Sequence, residues 1–230
     1  MAEFSVEGIV LRRWDSGESD RRIALLTPDR GKIYVTARGA RKAGARLAGS
    51  TEPGTYADFA IAARRNAYVT QVQQIRSFAG LRSDYNRLMC ALTLLETVDA
   101  VAPEDQSVPE VFATCLAGIV AIETNENPLS ALCWADLKLM AAIGVAPDFA
   151  GAMRGRALRL SPEDGGAATI SSRDSFEASR EVVVALAKLQ ELAEPPQKMK
   201  KSSDVAVCLA RFWEVYAGKR LSARQALLVG

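Results

Sequence analysis

The segment Gly31–Leu47, GKIYVTARGARKAGARL, ends in a basic loop with four cations within nine residues: Arg38, Arg41, Lys42 and Arg46. Positive charges at this spacing repel one another unless a polyanion neutralises them. Glycines between them leave the backbone free to follow a chain of phosphates, and arginine binds a phosphate through two parallel hydrogen bonds. The pattern predicts nucleic-acid binding; the alternative is a solvated loop whose charges promote solubility.

Further candidates lie on the strands and turns beside this loop. Arg13 ends the first predicted strand, and Arg64 and Arg65 lie at the last predicted hairpin. They could extend the binding surface; the alternative is that they are ordinary surface charges beside turns. Tyr34 has polar neighbours on its side of the strand, where an aromatic ring can stack on any base, although most aromatics at strand spacing are core residues. The candidate DNA-binding set is Lys32, Tyr34, Arg38, Arg41, Lys42, Arg46, Arg13, Arg64 and Arg65.

A second cluster of cations, Lys198, Lys200 and Lys201, precedes the last predicted helix. This cluster is a candidate for a second DNA contact. Cations at a helix N-terminus oppose the helix dipole, so another interaction must favour them there. The alternative, a solvated linker after Pro195-Pro196, remains open.

Charge is unevenly distributed along the 230 residues. Residues 1–78 hold 13 basic and 8 acidic residues, whereas the remainder holds 16 and 19. This asymmetry favours a nucleic-acid module followed by an interaction module, although chance clustering would give the same pattern. The chain has no histidine, which excludes catalysis and metal binding by histidine.

The elements that must position the basic loop begin with five short strands: Phe4–Arg13, Arg21–Thr27, Lys32–Ala37, Thr55–Arg64 and Tyr68–Ile75. Most of the strands are joined by short turns. The first of these turns is polar and includes Trp14. Their number and length predict a small barrel of the OB-fold type over residues 1–79.

After residue 79 the apolar residues recur at helical spacing, so an α+β chain with an all-α domain over residues 80–230 is expected. The predicted helices run from Leu81 to about Val98, from a capping box at Ser107 to Glu123, from Asn127-Pro128 to Met140, from Asp174 to Glu194 and from Ser202 to about Gly218. Residues 145–174 lose periodicity and form an irregular insert, with one candidate short strand at Ala157–Leu160.

The cysteine pattern and the N-terminus indicate location. Cys90, Cys115, Cys133 and Cys208 lie in apolar helical patterns without CxxC spacing, which favours buried, reduced thiols in an intracellular compartment. The N-terminus is not of the signal-peptide type, and no run has the length and apolarity of a membrane span. A cytoplasmic protein is expected.

The order of these parts resembles the RecO family of recombination mediator proteins. The resemblance lies in EGIVLRR and LLTPDRGKIYVTARGARK near the start, LKLMAAIGVAP in the middle and FWEVYAGKRLSARQAL near the end. It implies a bacterial, nucleoid-associated protein without a catalytic residue. Such a protein binds single- and double-stranded DNA, anneals complementary strands and helps RecA displace single-strand-binding protein (SSB), with RecR and the C-terminal SSB tail as partners. Arg82, Arg87 and Lys138 are candidate cations beside an apolar groove for that acidic tail.

One departure from the family concerns zinc. Many RecO proteins carry a pair of CxxC half-sites after the helix that corresponds to LKLMAA, whereas the first half-site here would fall at Ala152 and Gly155. The segment has no cysteine or histidine, so no metal or other cofactor is expected, and the insert keeps a reduced fold or is mobile.

The alternative function for the whole chain is that of a protein-interaction adaptor whose barrel has lost DNA binding.

Overall fold

Five strands close into an OB-like barrel in the order β1-β2-β3-β5-β4. The computed structural model describes residues 2–63, 65–153, 158–169 and 171–229. The barrel strands are β1 (Ala2–Ser16), β2 (Asp20–Thr27), β3 (Gly31–Ala37), β4 (Tyr56–Ala63) and β5 (Ala67–Arg76). The predicted barrel is therefore confirmed.

Alternation of side chains fills the barrel. Ile33, Val35 and Ala37 of β3 point inward, where they join Phe59 and Ile61 of β4 in a buried cluster. Burying each large apolar side chain contributes about 1.5–3 kcal/mol. The seam between β3 and β5 is closed by parallel pairing at Thr36 and Tyr68. Outward positions of β3 are therefore left for contacts with other parts of the chain or with ligands.

Trp14 corrects the prediction for the first turn. β1 continues to Ser16, and Trp14 pairs with Arg22 of β2 instead of lying in a turn. The turn is restricted to Gly17–Ser19, and Gly17 has a positive φ of 63°. Pairing with β2 therefore extends β1 through Trp14–Ser16, a polar stretch for which the local sequence predicts a turn.

Eight helices are described in the remainder of the chain: α1 (Ala79–Arg82), α2 (Tyr85–Val101), α3 (Pro109–Thr124), α4 (Pro128–Ala142), α5 (Phe149–Ala152), α6 (Arg180–Glu191), α7 (Ser202–Tyr216) and α8 (Ser222–Val229). Side chains cap several of them, because the first backbone N–H groups of a helix lack partners inside it. Asp84 accepts from the N–H of Arg87, and Asn127 accepts from that of Ser130. Among the described residues, no helix combines the length and the apolar character that crossing a bilayer requires.

The helix starts predicted at Ser107 and Asp174 are wrong, and one helix is absent from the prediction. Ser107 does not cap α3, because its hydroxyl donates to the carbonyl of Pro28 in the barrel. The helix predicted from Asp174 begins at Arg180, since Phe176 and Glu177 pair with another strand and Ser179 provides the cap. A further helix, α8, follows the one predicted to be last.

The insert has more structure than predicted. Its strands β6 (Arg159–Ser161), β7 (Gly166–Ala167) and β8 (Phe176–Glu177) form a three-stranded sheet in the order β7-β6-β8. The candidate strand at 157–160 is confirmed in part, since β6 begins at Arg159, whereas Ala157 lies outside the described residues. Leu160 and Phe149 are fully buried in the helical core, which anchors the insert.

The barrel packs directly on the helices. Ile9, Leu11, Ala24 and Leu26 face out of the barrel and join the helical core. The turn before β3 is also pinned: the N–H of Lys32 donates to the carbonyl of Pro103 at 2.9 Å. A Cβ at Gly31, whose φ is +62°, would clash with the carbonyl of Gln106. One end of β3 is thus covered, while its other end stays open.

Candidate nucleic-acid interface

The open part of the β2–β3 surface presents two aromatic rings and an arginine between them. Trp14 pairs with Arg22, and Arg22 pairs in turn with Thr36 of β3. The guanidinium carbon of Arg22 lies 5.6 Å from the ring centroid of Trp14 and 5.3 Å from that of Tyr34. The two rings meet edge to face at 5.8 Å. A cleft bounded by Arg12, Trp14, Arg22, Tyr34 and Asp99 lies here, and we call it the aromatic cleft.

Tyr34 faces outward, as its position between polar residues predicts. Its hydroxyl donates to the Glu104 carboxylate at 3.0 Å. Partial burial and the neighbouring Glu104 raise the pKa of Tyr34 to about 12, so its phenol stays protonated at neutral pH. Its role in stacking stays a prediction.

The basic loop starts at the far end of β3. Arg38 lies over the ring of Tyr68, with its guanidinium carbon 3.7 Å from the ring centroid. Hydrogen bonds from Asn66 and Arg38 lower the pKa of Tyr68. Because Tyr68 belongs to β5, this contact joins the basic loop to the β4–β5 hairpin, where Arg65 is exposed. Arg64 lies outside the described residues.

Arg41 connects the basic loop to the β1–β2 turn. Its guanidinium donates to the carbonyl of Gly17 at 3.0 Å and lies 3.3 Å from the Asp15 carboxylate. The neighbouring Lys42 and Arg46 are exposed. Three connections of the barrel therefore meet at one edge of the β2–β3 surface: the β1–β2 turn, the basic loop and the β4–β5 hairpin.

Arg21 anchors the far side of the basic loop. This side chain is almost fully buried and donates to the carbonyl of Ala48, the hydroxyl of Thr51 and the carboxylate of Glu52. Glu52 also accepts from Arg13 at 2.9 Å. Arg13 is thus ion-paired within the barrel, whereas Arg38, Lys42, Arg46 and Arg65 form no ion pair with any described residue.

Lys32 corrects the prediction of a DNA contact. Only 7% of this residue is exposed, and its ammonium donates to the carbonyl of Asp99 at 2.6 Å. The Asp99 carboxylate lies 3.7 Å away. Lys32 lies on the same face of β3 as Tyr34, but the helical domain covers this end of the strand. Its charge is used to hold the barrel against α2.

The second cluster surrounds an apolar groove between α6 and the segment 192–201 that leads to α7. The groove has a volume of about 520 Å³, with Leu189, Leu192 and Met199 among its apolar lining. Lys188, Lys198, Lys200 and Lys201 stand around it. Lys201 also pairs with Asp204 at 3.4 Å. The three predicted lysines are therefore brought together, but around apolar side chains.

The three cations predicted beside a partner groove serve the fold. Arg87 donates to the carbonyls of Ile122, Glu123 and Asn125 at the end of α3. Lys138 donates to the carbonyl of Gln190 in α6, and Arg82 donates to that of Ser77. Cations at helix C-termini offset the negative end of the dipole.

The insert does not fit a thiolate zinc site. Ala152, at one of the expected cysteine positions, is buried at the end of α5, and Gly155 lies outside the described residues. Hydrogen bonds occupy the turns instead: Asp148 accepts from the N–H of Gly151, and Asp164 accepts from that of Thr169. Neither arrangement supplies the four soft ligands of a structural zinc site.

Sequence reasoning missed two features of this surface: the place of Trp14 in the cleft and the burial of the anchor Arg21. The alternation of side chains along a strand was the available signal. Arg12 and Trp14 are two residues apart in β1, so they share a face, and they pair with Ala24 and Arg22 of β2. Assigning Trp14 to a turn removed it from that pattern. Nothing local in the sequence indicates that Arg21 is buried.

Comparison with known proteins identifies the family to which this barrel and helical domain belong. The family model for the Recombination protein O N-terminal domain matches residues 1–79, and that for the C-terminal domain matches residues 82–203. The chain belongs to the RecO family. It is 29% identical over 245 residues to a DNA repair protein RecO of Anaeromyxobacter sp. (strain K), which covers 99% of this chain and 96% of that protein.

Two other RecO proteins match over shorter stretches. The chain is 35% identical over 171 residues to the DNA repair protein RecO of Roseiflexus sp. (strain RS-1), covering 71% of this chain and 60% of that protein. With that of Heliobacterium modesticaldum it shares 34% identity over 149 residues, which are 64% of this chain and 54% of the relative. The resemblance to RecO is therefore confirmed, and with it the assignment to DNA repair.

Proposed function

We propose that this RecO chain is a non-enzymatic recombination mediator that binds single- and double-stranded DNA, anneals complementary strands and assists the loading of RecA on SSB-coated DNA together with RecR. The observation that carries the proposal is the single edge of the barrel where three connections meet. Arg38, Arg41, Lys42 and Arg46 of the basic loop lie there beside the aromatic cleft. In OB-folds this kind of surface binds oligonucleotides.

The exposed cations of this edge suit phosphate binding. Arg38 is held by Tyr68 with its charge unneutralised by any described carboxylate, and Lys42 and Arg46 are exposed. Arg65 of the β4–β5 hairpin extends the same edge. Lys32 is left out of the proposed contact set, because it is buried and paired with Asp99. Arg13 and Arg41 remain in it, since their pairs with Glu52 and Asp15 leave about a third of each side chain exposed.

The lysine-lined groove between α6 and the segment 192–201 is proposed as the site for the acidic C-terminal tail of SSB. Its apolar floor suits the apolar end of that tail, and Lys188, Lys198, Lys200 and Lys201 match its negative charge. A surface that only followed phosphates would not need Leu189, Leu192 and Met199. We therefore favour the peptide over a second DNA segment for these lysines.

A division into an OB domain over residues 1–79 and a helical domain over residues 80–230 accompanies this proposal. A protein with this function works in the bacterial cytoplasm, next to the nucleoid. No catalytic residue and no cofactor are assigned.

The affinity of the whole chain for a fluorescein-labelled single strand, measured by anisotropy over a salt series, tests the proposal. The logarithm of the binding constant should fall linearly with the logarithm of salt concentration, because counterions are released from the DNA. Annealing of two complementary strands should be faster with the protein than without it. No detectable binding near physiological salt would overturn the proposal and favour an adaptor without DNA affinity.

A further inference from the structure

We propose that the aromatic cleft binds the face of an unpaired nucleobase, so that this site distinguishes single strands from duplex. The inference rests on the proposed function and names the feature of DNA that the barrel recognises. Phosphates would bind at the basic loop, while one base of the same strand turns inward and stacks against the surface that Trp14 and Tyr34 form together.

Aromatic surface and a planar cation are the first argument. Trp14 and Tyr34 are half-buried, and the guanidinium of Arg22 lies within 6 Å of both rings. A second guanidinium, that of Arg12, lies 5.9 Å from the ring centroid of Trp14. Bases stack on aromatic rings and on guanidinium planes alike, with little dependence on sequence.

Hydrogen-bond acceptors beside the cleft are the second argument. The Asp99 carboxylate lies 4.0 Å from the guanidinium of Arg12, and Glu104 accepts the hydrogen bond of Tyr34. Asp99 is also paired with Lys32, so these carboxylates serve as hydrogen-bond acceptors and not as an unneutralised negative charge. A base is neutral, and its N–H groups can donate to such a carboxylate.

The need for a free base face is the third argument. In a duplex both faces of each base are stacked on neighbouring bases, and only the edges are accessible from the grooves. The cleft offers its rings on a barrel wall beside α2, so a base reaches them only after it leaves the stack. A single strand meets this condition at lower cost than a duplex.

Trp14 provides a direct optical test. The chain has three tryptophans, and the other two, Trp134 and Trp213, are 7% and 0% exposed. Trp14 fluorescence in the whole protein should be quenched by oligothymidylate. An abasic oligonucleotide of the same length, with the same phosphates, should leave the fluorescence unchanged at equal saturation, as judged by anisotropy.

Variants separate stacking from charge. Trp14→Ala should weaken binding of oligothymidylate by about 5- to 150-fold, the range found when a stacking residue is removed. Binding of the abasic strand should change less than twofold by our estimate, since stacking contributes nothing there. Trp14→Phe, which keeps a ring, should retain most of the affinity and shows that the fold tolerates a change at this position.

The possible outcomes separate base binding in the cleft from the proposed DNA binding of the whole protein. Equal affinity of the parent for oligothymidylate and the abasic strand, without quenching by either, would overturn the base site while leaving phosphate binding intact. Failure of both strands to bind in a salt-dependent manner would overturn the proposed function itself. The parent measurements need no variant, so a poorly folded Trp14→Ala protein does not prevent a decision.

Discussion

Arg224 and Asp136 form a buried ion pair that fastens the last described helix to the helical core. Both terminal nitrogens of the guanidinium lie 2.7 Å from carboxylate oxygens of Asp136, although the residues are 88 positions apart. Arg224 is 2% exposed and Asp136 is fully buried. Breaking one partner of such a pair leaves an uncompensated charge in a medium of low dielectric constant.

Arg224→Met should therefore lower the free energy of unfolding by about 3–5 kcal/mol. Urea denaturation followed by circular dichroism measures the change. The double variant Arg224→Met/Asp136→Leu removes both charges and should recover most of the loss. A single variant as stable as the parent would show that the pair does not hold α8 in place.

The same variant should change the pH dependence of stability. Burial raises the pKa of Asp136, and the Arg224 cation opposes this shift in the parent. Without the cation, the folded state of the variant holds a proton that the unfolded chain releases above about pH 4. The variant should then lose stability as the pH rises, and its deficit against the parent should shrink as the pH falls from about 8 to about 4. A deficit that is constant across this range would contradict the assignment.

Lys32→Met tests whether this cation belongs to the fold or to DNA binding. We expect a loss of about 1–3 kcal/mol in the free energy of unfolding, because the partly buried carbonyl of Asp99 loses its hydrogen-bond donor and the carboxylate loses one of its two cations. The salt dependence of single-strand binding should stay that of the parent. A shallower salt dependence would return Lys32 to the DNA-binding set.

Arg21→Met tests the anchoring of the basic loop. Loss of the contacts to Ala48, Thr51 and Glu52 should let the loop open more often, so trypsin should cleave the native protein after Arg38, Arg41 or Lys42 several times faster. Arg22→Met, an exposed position on the same strand, is the matched control and should keep the parental rate. Equal cleavage rates in both variants would show that Arg21 does not restrain the loop.

The four cysteines should be unreactive in the native protein. All four are buried, and burial raises the pKa of Cys90, Cys115 and Cys208 to about 12, so almost no thiolate is present at neutral pH. Titration with a thiol reagent such as Ellman's reagent should find no fast-reacting group before denaturation and four after it. A fast-reacting thiol in the native protein would contradict the packing of the helical core.

How far sequence alone reaches is shown by β3. Alternation puts Ile33 and Val35 on one side of the strand and Tyr34 on the other, and in the structure the first two lie inside the barrel. Which outward residues stay accessible depends on the helical domain, which covers Lys32 and leaves Tyr34 at a cleft. Local pattern fixes the face of a strand but carries no information on what packs against that face.

Helix boundaries show the same limit. Asn127 caps α4 as its sequence pattern predicts, because the cap is a contact within four residues. Ser107 has an equally good local pattern, yet its hydroxyl bonds to Pro28, 79 positions away. The same limit applies to arginines. Arg21 and Arg224 are buried because of contacts with residues that are distant in the sequence.

The central claim, that the basic loop grips the DNA backbone, is tested most directly by neutralising Arg38, Arg41 and Lys42 together with alanine. Each lost phosphate contact should reduce the slope of log K against log salt by about 0.7, so the triple variant should lose about two units of slope and much of its affinity for single strands. The control Arg173→Ala/Lys219→Ala/Arg220→Ala removes the same charge from exposed positions of the helical domain and should keep the parental slope. A triple variant of the basic loop with the affinity and slope of the parent would contradict the claim.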